Sequence, residues 1–303
     1  MMMNNINYGY TEITDAFTGE VIVLPTGYVN NPQNYSIRHK NQDEAFKKQL
    51  QRAERATENF YWNNLHNIST LLNKEKISMT ALGLLMLLGC ELNNGDTKLA
   101  TQKGRTLTTS ELIEKTNTPR RTFIRAMDEL KACGLILIEG TARKPVYIIN
   151  SNYHFVGKNP QANISSRTYI DGVKALQEAG LSLSEIGFIY AVLPLLAYNR
   201  CVLVKDRNNG EDDINNLHDI SSLCEYLSMT RNVLSKYLKM TFEYEFKEGR
   251  YKVPVFGKFS AGGSRVNSYL INPVIIRRAV KDVNYRMFES LEDMFKIYRK
   301  KID

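Results

Sequence analysis

The chain has 303 residues, 43% hydrophobic and 24% charged, which are the proportions of an ordinary soluble globular protein with room for two domains. Its formal net charge of +8 favours a polyanionic partner, either nucleic acid or an anionic membrane face. The longest apolar run, residues 81–88, is too short to cross a bilayer, and the first residues lack the basic and apolar regions of a signal peptide, so no membrane partner and a cytoplasmic location are expected.

Residues 1–73 predict an N-terminal arm that consists of a hairpin and a helix. The sequence of Thr11–Leu24 predicts two short strands that form a hairpin, with Thr18 and Gly19 at the turn. Asp43–Leu72 has its apolar residues on one face and predicts a long amphipathic helix.

Residues 74–157 predict a first winged helix-turn-helix domain. Its centre is a pair of helices joined by a tight turn at residues 116–118, and Phe123, Met127 and Leu130 form one apolar face of the second helix. Gly134 is the expected stop of that helix. The predicted elements are helix Ser78–Leu92, a short strand within Thr97–Leu107, helices Thr109–Lys115 and Pro119–Ala132 (Pro119 at the first helical position), and strands Leu135–Glu139 and Val146–Asn150 around a tip at Gly140–Lys144.

The opposite face of helix Pro119–Ala132 carries positive charge. A helix fits the major groove, where guanidinium groups reach guanine O6 and N7 or phosphates. Basic residues at the hairpin tip would contact the neighbouring backbone. The alternative is an amphipathic helix with ordinary solvated arginines. The candidate DNA-binding residues here are Arg120, Arg121, Thr122 and Arg125 on the helix and Arg143 and Lys144 at the tip.

The same pattern recurs about 110 residues later, which predicts a duplicated domain. Ile77–Gly83 matches Leu181–Gly187 at an offset of 104, and Arg120 matches Arg231 at an offset of 111. Tyr147 then matches Tyr269 at an offset of 122, so the offset grows only where loops are expected. The second set of candidate DNA-binding residues is Arg231, Asn232, Ser235, Lys236, Lys258 and Arg265, with Asn232 suited to adenine.

The remaining elements connect and extend these domains. Residues 158–180 predict a linker with a connecting helix, and residues 181–303 predict the second winged domain. The individual predictions are a polar boundary at Lys158–Ser166, helix Arg167–Ala179, helix Leu183–Tyr198 kinked or split at Pro194, helix Thr230–Thr241, an enlarged basic wing within Tyr251–Tyr269, and a long C-terminal helix Pro273–Ile302.

Motifs for catalysis, cofactors and metals are not found in the sequence. A phosphate-binding loop of the G-x-x-x-x-G-K-[ST] type is absent, and the four histidines form no H-x-H or H-E-x-x-H pair. The four cysteines are scattered singly, as reduced buried thiols are. Structural roles are expected for His154 and His218. A non-enzymatic protein without cofactor or metal is therefore expected.

Residues 107–157 resemble the winged-helix segment of the Firmicute-type plasmid replication protein L family. The residues that carry the resemblance are Thr118–Leu130, the Gly134-Leu135-Ile136 strand start, and Asn150–Gly157 after the wing. The duplicated arrangement is also similar to tandem winged-helix plasmid initiators. The resemblance implies a DNA-binding protein of a plasmid or phage in a bacterial host cell.

The predicted fold is mainly α (α+β), with two winged helix-turn-helix domains, an N-terminal arm, and long N- and C-terminal helices. The predicted function is sequence-specific binding of double-stranded DNA by a replication initiator at origin repeats. A phage or plasmid transcription regulator, and a winged-helix module that binds protein, are the alternatives. Host replication or transcription proteins are further expected partners, and a homodimer is left open.

Overall fold

The computed structural model describes residues 10–14, 21–25, 59–92, 97–101, 103–141, 143–157, 164–197, 201–207, 209, 213–246, 249–260, 267–278 and 300–301. The chain divides into two compact units, residues 1–58 and 59–303. In the first unit, β1 (Tyr10–Thr14) and β2 (Val21–Pro25) form an antiparallel hairpin with Thr14 opposite Val21, so the predicted hairpin Thr11–Leu24 is confirmed. Its predicted turn lies outside the described residues.

The helices of the second unit are short, and several begin at a polar capping residue. Ser78 and Ser182 each accept a hydrogen bond from a backbone N–H of the helix that follows, which satisfies one of its unpaired donors. The described helices are α1 (Leu65–Lys74), α2 (Met79–Gly89), α3 (Thr109–Lys115), α4 (Arg120–Ala132), α5 (Ile170–Glu178), α6 (Leu183–Ala191), α7 (Ile220–Tyr226) and α8 (Arg231–Leu238), with 3₁₀ turns at Leu193–Leu195 and Ile214–Asn216.

The strands of this unit form small antiparallel sheets. One sheet has the order β12-β7-β3-β6, another has the order β13-β9-β8, and the pairs β4–β5 and β10–β11 stand as hairpins. The strands are β3 (Phe60–Asn64), β4 (Ile136–Thr141), β5 (Lys144–Ile149), β6 (His154–Phe155), β7 (Ser165–Tyr169), β8 (Thr241–Phe246), β9 (Gly249–Pro254), β10 (Phe256–Ser260), β11 (Asn267–Ile271), β12 (Ile276–Arg278) and β13 (Lys300–Lys301).

The predicted fold class is wrong. Strands and helices contribute comparable numbers of described residues, so the protein is a mixture of α and β and not mainly α. Residues 59–303 form one compact unit, and two winged helix-turn-helix domains are not seen. The physical reason is that the repeated segments share a sheet and a buried helix pair, so the core is continuous from one repeat to the other.

The shared sheet joins the first half of the unit (residues 59–157) to the second half (residues 164–278). At its centre Trp62 of β3 is opposite Arg167 of β7, and each strand leads directly into a helix. At its edges Trp62 is opposite Phe155 of β6, and Arg167 is opposite Arg277 of β12. A register in which equivalent residues face each other is the pattern that a local twofold axis produces.

The helix pair α2 and α6 follows the same twofold pattern. A Cβ atom added to Gly83 of α2 would overlap the carbonyl oxygen of Leu183, and one added to Gly187 of α6 would overlap that of Met79. Gly83 and Gly187 are the residues that the sequence repeat pairs at an offset of 104, as are Met79 and Leu183. The missing side chains let the two backbones touch, so the contact is reciprocal and closely packed.

An extra hairpin distinguishes the second half. Leu135 N donates to Leu130 O across the end of α4 and its turn, whereas Val255 N donates to Met240 O across residues 241–254, which form β8 and β9. The hairpin β10–β11 is the counterpart of β4–β5, because Leu203 N donates to Tyr269 O as Leu99 N donates to Tyr147 O. The predicted wing within Tyr251–Tyr269 therefore combines the end of the extra hairpin with β10 and the start of β11, and α8 ends at Leu238 instead of Thr241.

Several predicted boundaries are also corrected where the shared sheet intervenes. Within the predicted helix Asp43–Leu72, residues 60–64 form β3, residues 65–72 are helical in α1, and residues 43–58 lie outside the described part of the chain. Strand β7 occupies part of the expected linker and of helix Arg167–Ala179. Residues 276–278 form β12 instead of helix, while residues 279–299 lie outside the described part of the chain. Pro194 does split the predicted helix, because α6 ends at Ala191 and a 3₁₀ turn follows. In the described residues, every helix is too short or too polar to span a membrane.

The glycine contact between α2 and α6 yields a stability prediction. Gly83→Ala and Gly187→Ala should each destabilise the protein by about 3 kcal/mol, because the added methyl group meets a backbone carbonyl that cannot move alone. Without that clash, Ala in place of a helical Gly would stabilise by about 1 kcal/mol. The two cases differ in the sign of the change in the free energy of unfolding, which urea denaturation measures. An increase caused by either substitution would contradict the close contact between the two helices.

A buried histidine lies beside this junction. His154 of β6 is fully buried, its Nε2 is 2.7 Å from the Tyr190 hydroxyl, and its ring packs edge-on against Tyr61. Burial lowers the pKa of His154 to about 3. In the unfolded chain this histidine has its ordinary pKa near 6.5. Between pH 6.5 and pH 3 the unfolded chain therefore binds a proton that the folded chain does not, and lowering the pH favours unfolding.

We therefore expect the free energy of unfolding to fall as the pH is lowered from 6.5 towards 4, by about 1.4 kcal/mol per pH unit for each such proton. His218, whose pKa burial lowers to about 4, contributes in the same direction. His154→Gln should reduce the slope of the free energy of unfolding against pH by the contribution of about one proton. His66→Gln, at an exposed position, is the control and should leave the slope unchanged. Equal slopes for the wild type and His154→Gln would contradict this account.

Candidate nucleic-acid interface

Helices α3 and α4 of the first half are joined by a tight turn, as predicted. Thr108 caps α3 in a reciprocal capping box with Glu111, and Arg105 forms a 2.5 Å ion pair with the same carboxylate. Hydrogen bonds from Arg105 and Thr108 lower the pKa of Glu111 to about 2. In the turn Asn117 adopts φ 45°, which asparagine tolerates better than most residues, and Thr118 N donates to Ile113 O. These contacts fix where α4 begins.

Helix α4 separates an apolar face from a basic face. Phe123, Met127 and Leu130 are buried in the core, as predicted. Arg120, Arg121 and Arg125 are exposed, whereas Thr122 is partly buried. Pro119 is the N-cap residue and not the predicted first helical residue, because its ψ of 134° is not helical.

The start of α4 is electrostatically unusual. No side chain caps its free N–H groups, and its first turn contains no acidic residue. Arg120 and Arg121 stand where the helix dipole is positive, which is unfavourable for a cation and favourable for an anion. Neither of them, nor Arg125, forms an ion pair or side-chain hydrogen bond with any other described residue. Three positive charges are therefore concentrated on this face, and no side chain of the described ranges neutralises them by an ion pair.

The hairpin β4–β5 ends in two further cations. Arg143 and Lys144 are exposed, and Lys144 is already paired with Thr141, so the hairpin tip is shorter than the predicted Gly140–Lys144. On β4 the side chains of Leu137 and Ile138 are about half exposed, at 48% and 44%. The hairpin thus combines a basic tip with an apolar flank.

The pair α7 and α8 repeats this construction in the second half. Asp219 and Ser222 form the capping box of α7, Ser228 in the turn has φ 51°, and Met229 N donates to Cys224 O. Each is the counterpart of a first-half residue at the offset of 111. Helix α8 also has no side-chain cap and no acidic residue in its first turn.

The predicted residues of the second half are only partly brought together. Arg231, Asn232 and Lys236 are exposed on α8, and Ser235 is partly buried. Lys258 is exposed on β10 and lines a cleft with Arg231 and Ser235. Arg265 lies outside the described residues.

Two further cleft residues, Lys239 and Asn267, were not identified from the sequence. Lys239 follows the last residue of α8, and Asn267 begins β11. The register that places Asn267 opposite Ser260 was not deducible, because the segment interpreted as one wing begins inside β9 of the extra hairpin. Lys239 lies inside the predicted helix Thr230–Thr241, and a basic residue in the last turn of that helix was the available signal for it.

Comparisons with protein-family models, with curated proteins and with solved structures give no match for this chain. Across the described residues, no group of three or more His, Cys, Asp or Glu side chains is placed to hold a metal ion.

Proposed function

We propose that the protein binds double-stranded DNA and that α4 enters the major groove. The observation that carries the proposal is the basic face of α4, where Arg120 and Arg121 at the uncapped helix start and Arg125 one turn later are exposed and form no ion pair with the described part of the chain. Guanidinium groups in this setting suit guanine edges and phosphates. The net charge of +8 supports the same class of partner.

Helix α8 supplies the second contact of the proposal. Asn232 and Lys236 are exposed on the helix that corresponds to α4. An asparagine amide donates and accepts together, which suits adenine, and a lysine suits guanine or a phosphate. Because both faces belong to one chain, the second contact is intramolecular and increases the affinity of the whole site.

Within the wider proposal, a replication initiator of a plasmid or phage is preferred over a transcription regulator of similar origin. The preference rests on the resemblance of residues 107–157 to plasmid replication proteins, since both roles use the same contacts. Footprints on repeated sites beside an AT-rich region favour the initiator, and footprints over a promoter favour the regulator. Binding of protein through α8 is the third candidate, because α8 carries fewer arginines than α4.

The role of α4 is tested by removing its charge. Arg120→Ala with Arg125→Ala should weaken duplex binding and reduce the slope of log affinity against log salt by about one unit for each phosphate that loses its arginine. Lys76→Ala with Lys174→Ala removes the same charge from exposed positions elsewhere and is the control. Fluorescence anisotropy at several salt concentrations is the measurement. Unchanged affinity of the arginine variant at physiological salt would exclude this face.

The local twofold axis makes a second prediction, about the arrangement of the target. In a twofold arrangement the two DNA-facing helices approach the duplex with opposite polarity, so the two half-sites should be inverted, about 10 base pairs apart from centre to centre. Selection from a random duplex library should recover such sites. Arg120→Ala with Arg125→Ala should lose one half of the consensus and keep the other. Recovery of directly repeated half-sites would contradict the twofold arrangement of the contacts.

A further inference from the structure

A cleft of about 440 Å³ lies between α8 and the hairpin β10–β11 in the second half. The start of α7 closes one side of it, and the aromatic ring of Tyr269 lies among its lining residues. The cleft is lined by Asp219, Ile220, Ser221, Arg231, Ser235, Leu238, Lys239, Lys258, Asn267 and Tyr269.

The charge in this cleft is strongly positive. Arg231, Lys239 and Lys258 are exposed and form no ion pair with the rest of the described chain. The single carboxylate of the lining, Asp219, already accepts a 2.8 Å hydrogen bond from the backbone N–H of Ser222, and these cap hydrogen bonds lower its pKa. A ligand in the cleft therefore lies beside three cationic side chains and one carboxylate, and that carboxylate already caps the start of α7.

The corresponding groove of the first half has a different chemistry. By the offset of 111, Ser235 and Lys239 correspond to Ile124 and Asp128. Lys258 faces Tyr269 across its hairpin as Ile138 faces Tyr147, so these two residues also correspond. Where the second half has a hydroxyl and two lysines, the first half has two exposed isoleucines and an aspartate. The same framework thus carries a cationic cleft in the second half, whereas the groove of the first half keeps its arginines but has apolar and acidic residues at these three positions.

We propose that the cationic cleft binds phosphate groups, which in the setting of the proposed function, on which this inference rests, are those of the DNA backbone. Two flexible ammonium groups and a guanidinium group suit phosphate oxygens, and Ser221, Ser235 and Asn267 offer further donors. Backbone contacts hold a protein on the duplex without selecting bases. The cleft thus adds a backbone anchor beside α8, whose Asn232 still faces bases in the proposed function. At the equivalent place in the first half, the exposed Ile124 of α4 can contact a thymine methyl group instead.

The experiment compares Lys239→Gln with Lys258→Gln against the control Lys76→Gln with Lys174→Gln, which removes equal charge from exposed positions outside the cleft. A duplex of unrelated sequence is titrated at several salt concentrations. The cleft variant should reduce the salt slope by about 1.8, that is about 0.9 for each phosphate that is no longer neutralised, and the control should not. Lys239→Arg with Lys258→Arg should retain the wild-type slope. Far-UV circular dichroism confirms that each variant is folded.

A second arm uses inorganic pyrophosphate, titrated into the wild type and the cleft variant by calorimetry. Loss of slope in the cleft variant without pyrophosphate binding assigns the cleft to the DNA backbone. If the wild type binds pyrophosphate and the cleft variant does not, the cleft is assigned to a small phosphorylated ligand. If in addition no duplex binds, the phosphate site in the cleft stands while the proposed function fails. Duplex binding with equal slopes in the cleft variant and control, together with no pyrophosphate binding, overturns the inference while the proposed function stands.

Discussion

The fold depends on the reciprocal contact in which Gly83 and Gly187 let α2 and α6 touch backbone to backbone. Each helix is apolar around its whole circumference near this contact, so neither could face water if the pair separated. The sheet centred on β3 and β7 reinforces the junction with Asn63, whose amide donates to Ser166 Oγ and Thr168 Oγ1. Separate halves would leave the Asn63 amide without these two partners, which makes independent halves unfavourable.

This junction determines what the exposed helices can do together. Helix α4 is held to α2 through Glu129, which accepts hydrogen bonds from the backbone N–H and the hydroxyl of Ser78. Helix α8 is connected to α6 through the stacked rings of Phe188 and Tyr237. Both basic faces are therefore anchored to the same rigid pair, and the distance between them is fixed by packing and not by a flexible linker. Two contacts on one rigid body lose little entropy when the second forms.

Local features of the fold were deducible from the sequence. The features that depend on contacts between distant segments, such as strand pairing and the helix contact, were not. The period of Phe123, Met127 and Leu130 predicted the buried face of α4, and the offset of 111 placed Arg231 correctly at the start of α8. The sheet was missed because residues 60–64 continue a helical apolar pattern and become β3 only by pairing with β6 and β7. The repeat identified Gly83 and Gly187 as equivalent, but their chemistry gave no sign that they touch.

The two halves have kept their framework and changed their surfaces, and this difference is informative. Equivalent turns contain Asn117 and Ser228 in the left-handed region, although serine has less tendency than asparagine to adopt it, so the turn geometry is retained at a cost in strain. In contrast, Ile124 and Asp128 in the first half correspond to Ser235 and Lys239 in the second. On the proposed function, the common framework presents both helices to bases, and the changed residues give the second half alone an additional backbone anchor. A duplex can occupy both kinds of site because its base edges and phosphates lie side by side.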